Sequence, residues 1–117
     1  MQLGQLVLHS KNPKLLGSFF SELLDKSLVE SEDGFELEDK LSFPFMFTQK
    51  SKGTRKPTDE YFFYLTNQME IDELKQRISF FCYRNGIKEK AFKITESEAR
   101  LEVVDFDGRK WIFTIAQ

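Results

Sequence analysis

Residues 5–24, QLVLHSKNPKLLGSFFSELL, read as a strand that runs directly into a capped helix. Gln2 to His9 alternate, with Leu3, Gln5, Val7 and His9 on one face and Gly4, Leu6 and Leu8 on the other, which is the period of a strand. Asn12 then caps a helix, and Pro13 takes its first position, where a missing N–H costs nothing. Leu15, Leu16, Phe19, Phe20, Leu23 and Leu24 follow at helical spacing and predict one buried stripe. The same order returns at residues 61–78, YFFYLTNQMEIDELKQRI. A strand is predicted from Glu60 to Thr66, with Tyr61, Phe63 and Leu65 on one face. Asn67 and Glu70 stand at capping-box spacing, and Ile71, Leu74, Ile78, Phe81 and Cys82 continue as a helical stripe. Asn85-Gly86 closes that helix.

Strands follow each opening. In the first half Asp33-Gly34 marks a turn before GFELEDK (34–40), a half-exposed strand. LSFPFMFTQ (41–49) puts Phe43, Phe45 and Phe47 on one face, and Pro44, which cannot donate to a ladder, predicts an edge position or a bulge. In the second half strands are predicted at about Ala91–Thr95, Arg100–Val104 and Lys110–Ile115. Between the halves lies KSKGTRKPTD (50–59), a polar run with Gly and Pro that reads as a linker. The chain is thus expected to hold two units, about residues 1–52 and 58–117, that repeat an architecture rather than a sequence. Each helix must cover one sheet face. Two such units side by side leave the other faces free to curl around a cavity.

The composition narrows the function. A chain of 117 residues with thirteen Phe is one domain in length with a heavy aromatic load. A formal charge of −2 argues against nucleic acid or an anionic membrane as a partner. The single cysteine, Cys82, excludes an intrachain disulfide and fits a cytoplasmic setting. MQLGQLVLHSKN has neither the basic start nor the apolar length of a signal peptide, and no stretch approaches the roughly 20 apolar residues of a membrane span.

Three stretches together resemble the vicinal oxygen chelate superfamily, which includes glyoxalases, extradiol dioxygenases and bleomycin-resistance binding proteins. QLVLHSKNPKLLGSFFSELL is similar to its opening strand and helix, with Phe19-Phe20 as the mid-helix aromatic pair. YFFYLTNQMEIDELKQRI is similar to its second opening. DFDGRKWIF (105–113) is similar to its closing Asp-Pro-Asp-Gly hairpin, with Phe106 in place of the proline. The resemblance implies an α+β fold of paired βαβββ modules, forming a curved mixed sheet around a cavity with helices on the outer face, commonly in a homodimer. In metal-dependent members, four inward side chains hold a divalent ion that acts as a Lewis acid on substrate oxygen.

Carried over residue by residue, those ligand positions fall on Gln5, on Phe63 (or Tyr61 in a register shifted by two), on Ile112 where Glu is usual, and on the strand Phe43–Thr48, which has no carboxylate or imidazole. Gln5 alone remains as a donor, since glutamine occurs there in some members. A stable catalytic site needs about three protein ligands. The expectation is therefore no metal and no cofactor. Gln5, Tyr61, Phe63, Ile112 and Thr114 would line a pocket for a small apolar or aromatic molecule, while Phe62, Tyr64, Trp111 and Phe113 pack beneath a helix. The alternatives are a metal-dependent lyase, isomerase or dioxygenase of the same superfamily, and a module serving only in protein association.

Other residues read more simply. DFDG is a hairpin turn and not a calcium loop, which needs Gly at its sixth place and Glu at its twelfth. His9 and Ser10, adjacent on a strand, point to opposite faces and make no dyad. Cys82 reads as helix packing. Lys50, Lys52, Arg55 and Lys56 read as a solvated linker, with a lid over an acidic ligand as the other possibility.

Overall fold

The computed structural model describes residues 6–38, 45–50, 59–88 and 92–115. The chain divides into two units, Met1–Thr54 and Arg55–Gln117. The first contains β1 (Leu6–Ser10), α1 (Pro13–Leu24), β2 (Ser27–Ser31), β3 (Gly34–Glu38) and β4 (Phe45–Gln49). The second contains β5 (Glu60–Leu65), α2 (Gln68–Arg84), β6 (Lys93–Ser97), β7 (Arg100–Val104) and β8 (Lys110–Ile115). Each is a βαβββ module, and the fold class is α+β.

The sheets repeat one topology, β1-β4-β3-β2 in the first module and β5-β8-β7-β6 in the second. The first strand of each runs parallel to the last, and the other pairs are antiparallel. Two expectations are corrected here. The segment Ser27–Ser31, SLVES, forms a strand that its mostly polar sequence did not mark. And β4 is an interior strand between β1 and β3, not an edge. Its described part runs from Phe45 to Gln49. Pro44 and Phe43 lie outside the described residues, as does Ala91.

Both helices start as their sequences require. The Asn12 side chain accepts from the Leu15 N–H at 3.1 Å, and that of Asn67 from the Glu70 N–H at 3.0 Å. Glu70 reaches back one residue further than a capping box, taking the Thr66 N–H at 2.9 Å and its hydroxyl at 3.0 Å. α1 packs Leu16, Phe19, Phe20 and Leu23 into the core. The Phe20 ring stacks on Phe47 with centroids 5.9 Å apart and lies 5.9 Å from Phe45. A Cβ at Gly17 would stand 2.8 Å from Leu28 Cδ1, so the helix lies close on that face. α2 buries Ile71, Leu74, Ile78 and Phe81. Its Lys75 ammonium meets the Glu96 carboxylate of β6 at 2.6 Å, which fixes the face α2 covers.

Candidate functional site

Register decides which residues share a face. On the second module's sheet, Glu96 pairs with Leu101 and Leu101 with Phe113. Phe113 in turn pairs with Phe63, and Trp111 with Tyr61. Paired residues point the same way. The helix face therefore carries Tyr61, Phe63, Leu101, Trp111 and Phe113. Ring contacts agree: Tyr61 stacks on Trp111 with centroids 4.6 Å apart, and Phe63 on Phe113 at 5.2 Å. The far face, away from α2, carries Phe62 and Tyr64 with Ile112 and Thr114.

This corrects the expected grouping. Tyr61 and Phe63 do not share a face with Ile112 and Thr114, and Phe62 and Tyr64 are not beneath the helix with Trp111 and Phe113. The parallel β5–β8 pair is in register at Tyr61↔Trp111, one residue off the assumed phase. A one-residue slip exchanges every side chain between faces. Gln5 lies outside the described residues.

Phe62 and Tyr64 stack on each other with centroids 6.4 Å apart, and are 46% and 71% exposed. Ile112, paired with Phe62 on one side and Glu102 on the other, is fully buried. Charges follow along the same face. Lys110 Nζ lies 3.3 Å from Glu102 Oε1 and 3.8 Å from Glu60 Oε1, and Arg100 Nη2 lies 4.0 Å from Glu102 Oε2. These exposed pairs add little stability, but they set a polar border beside two open aromatic rings. The Thr114 hydroxyl donates to the Ala99 carbonyl at 3.4 Å.

In the first module the far face carries Val7 and His9 of β1, paired with Met46 and Thr48 of β4. Glu36 of β3 pairs with Met46, as Glu102 does with Ile112. His9 is exposed, whereas Ser10 is buried on the opposite face and accepts from the Asn12 N–H at 3.1 Å. The two make no dyad. The Thr48 hydroxyl donates to the Asp33 carbonyl at 2.9 Å. Of the basic run only Lys50 is described, its backbone N–H donating to the Ser10 carbonyl at 2.8 Å.

These pairings test the chelate chemistry. At the centre of the parallel strand pairs the far face carries Val7 with Met46 and Phe62 with Ile112, none of which offers an oxygen or imidazole, while His9 with Thr48 and Tyr64 with Thr114 lie two residues further along. Among the described residues, no three His, Cys, Asp or Glu side chains converge. The described residues do not assemble the shell of a chelated divalent ion, which needs about three such donors.

The closing hairpin is a buried scaffold beside this face. Asp105 Oδ1 accepts from the N–H groups of Asp107 at 2.9 Å and Arg109 at 3.0 Å, and Oδ2 accepts from the Trp111 indole at 2.8 Å. Gly108, at φ +90°, donates to the Asp105 carbonyl at 2.9 Å and completes the turn. Arg109 is buried, with Nη1 at 4.0 Å from Asp105 and 3.6 Å from Asp107. Burial pushes the Asp105 carboxyl above its ordinary value, against the opposing pull of the Trp111 and Arg109 hydrogen bonds and the Arg109 charge.

No family model matches the chain, and no curated protein does. Solved structures match over nearly its full length. The fosfomycin resistance protein FosX from Mesorhizobium loti superimposes with a TM-score of 0.71 at 9% identity, covering 98% of this chain and 92% of its own. FosX from Listeria monocytogenes, in a structure with Mn(II) and sulfate, gives 0.69 at 12% identity, covering 98% and 90%. A possible glyoxalase from Bacillus cereus gives 0.67 at 16%, covering 97% and 98%. The fold is that of the vicinal oxygen chelate superfamily. At these identities the likeness extends to the fold alone. No helix among the described residues is long and apolar enough to cross a membrane.

Proposed function

We propose that this chain is a metal-independent binding protein of the glyoxalase and bleomycin-resistance type, whose second module holds a small, largely apolar or aromatic molecule on its far face. One observation carries the reading. Phe62 and Tyr64, exposed and stacked on each other, stand on the far face beside Ile112, where the resemblance would put a chelating carboxylate, so this spot offers ring surface to a ligand. Phe62 and Tyr64 supply exposed stacking surface above the buried Ile112, and the Tyr64 and Thr114 hydroxyls orientation. Tyr61 and Phe63 hold the sheet against α2 and do not touch the ligand. The same reading has the protein act as a homodimer, as the resemblance implies, in the cytoplasmic setting that a single cysteine fits.

A library of aromatic fragments, screened by ligand-observed NMR, tests this. Phe62→Ala and Tyr64→Ala should each weaken a hit by about tenfold, the worth of one lost stacking ring and its buried area. Phe63→Ala should lower stability instead. Dialysis against a chelator should leave the affinity unchanged. A divalent metal that copurifies at one per chain and is required for binding sinks the reading.

A further inference from the structure

The outer side of α2 carries apolar side chains that the single chain leaves uncovered. Met69, Phe80 and Tyr83 are 68%, 56% and 87% exposed. All three lie on the side of the helix opposite its buried stripe, Ile71, Leu74, Ile78 and Phe81. We propose that this outer side is the contact through which two copies of the chain associate, α2 packing antiparallel on the partner's α2 across a two-fold axis. The proposal rests on the homodimer of the preceding reading and not on its ligand site.

The outer residues are spaced for such a pair. Met69, Glu73, Gln76, Phe80 and Tyr83 follow one another at alternating steps of four and three. That is the 3.5-residue period at which a helix keeps one seam against a neighbour. With the second helix antiparallel and the axis at the level of Ile78, Gln76 meets the partner's Phe80, and Glu73 stands beside the partner's Tyr83. Each contact then occurs twice, as two-fold symmetry requires.

Charge names the occupant and its direction. Asp72 and Glu73 are exposed in the N-terminal half of α2, and Arg84 is exposed at its C-terminal end. Lys75 is held by Glu96, Glu70 by the Thr66 cap, and Arg77 is half-buried. Antiparallel pairing brings Glu73 to the partner's Arg84 and Arg84 to the partner's Glu73 on one flank of the seam, whereas a parallel pair would set Glu73 near the partner's Glu73. Acid first and base last also suits the helix dipole, but the dipole gives no reason to expose Phe80 and Tyr83. The Arg84 guanidinium lies over the Phe80 ring at 5.5 Å, so cation and ring form one patch. Apolar rings along a seam, bordered by charges that complement their own symmetry copies, match a second copy of this chain.

Sedimentation velocity of the full chain over a wide concentration range tests this, with reductant to keep Cys82 a thiol. Wild type should show a reversible monomer–dimer equilibrium. Phe80→Glu should weaken the dimer about a hundredfold, since a ring contact worth roughly tenfold is lost at two places. Glu73→Arg and Arg84→Glu should each weaken it roughly five- to tenfold by opposing like charges, and the double variant Glu73→Arg/Arg84→Glu should return to within about twofold of wild type. All three positions are exposed in the single chain, so the urea midpoint of each variant monomer should change little. A dimer undiminished by Phe80→Glu, or a double variant no better than its parents, overturns this interface and leaves the homodimer standing. A chain that stays monomeric at every concentration overturns both. Neither result bears on fragment binding at Phe62 and Tyr64.

Discussion

In the first module the β2–β3 hairpin reverses with Gly34 at φ +154°, whereas the β6–β7 hairpin of the second turns through Ala99 at φ +58°. Both loops hold two residues between paired ends, Ser31↔Gly34 and Ser97↔Arg100. The positive angle falls on a glycine at the paired strand end in one module and on a residue inside the loop in the other. Their interiors differ too. Among the described residues the first module buries one polar side chain, Ser10, while the second buries Asp105 and Arg109. A shared topology therefore leaves room for unlike local solutions, and the second module combines a polar buried hairpin with exposed aromatic rings.

The largest expected effect lies in that buried hairpin. Asp105→Ala strands the Trp111 indole N–H, two backbone N–H groups and a buried guanidinium at once. Breaking a buried charged cluster from one side costs about 3–5 kcal/mol, to be read as a lower urea midpoint. Gly34→Ala should cost somewhat less, about 2–4 kcal/mol, since its Cβ would overlap the Phe47 carbonyl oxygen, and a ladder strand moves only at a cost. If Gly34→Ala proves harmless, the β2–β3 turn has an alternative conformation and the contrast between the hairpins dissolves. Ala99→Gly is the mirror experiment. Relief of left-handed strain, less the added freedom of the unfolded chain, should raise stability by about 0.5–1 kcal/mol.

The legible parts of the fold were those set locally. Asn12-Pro13 and Asn67 announce helix starts because a cap acts within three residues. The Phe19-Phe20 and Ile71–Ile78 stripes announce buried faces because helical period is a local property. Phase between strands is not local. EYFFYL is nearly continuous in apolar residues, so nothing in it says whether Tyr61 or Phe62 looks toward the helix. Only pairing with β8, some fifty residues later, settles that, and the site residues followed the wrong phase by one position. SLVES was illegible for a related reason. At the sheet edge it needs little apolar patterning, and its pairing with β3 holds it in place.

The smallest expected effect tests the buried hairpin by pH. Burial is the largest influence on Asp105 and raises its carboxyl, more than the Trp111 hydrogen bond, the Arg109 backbone N–H and the Arg109 charge lower it. The folded chain then takes up this proton at a higher pH than the unfolded chain does. The stability linked to it is fully present below the unfolded value of about 3.9 and is lost as pH rises through the folded value. Asp105→Asn removes the titration while keeping the shape. Wild type should accordingly gain on Asp105→Asn as the pH falls from about 7 to about 4, measured by urea unfolding at each pH. The opposite trend, with wild type losing ground in acid, would mean that the three N–H donors outweigh burial. Asp105 would then serve the second module as an ionised anchor for Trp111, and the loss on Asp105→Ala would shrink at low pH as that anchor became protonated.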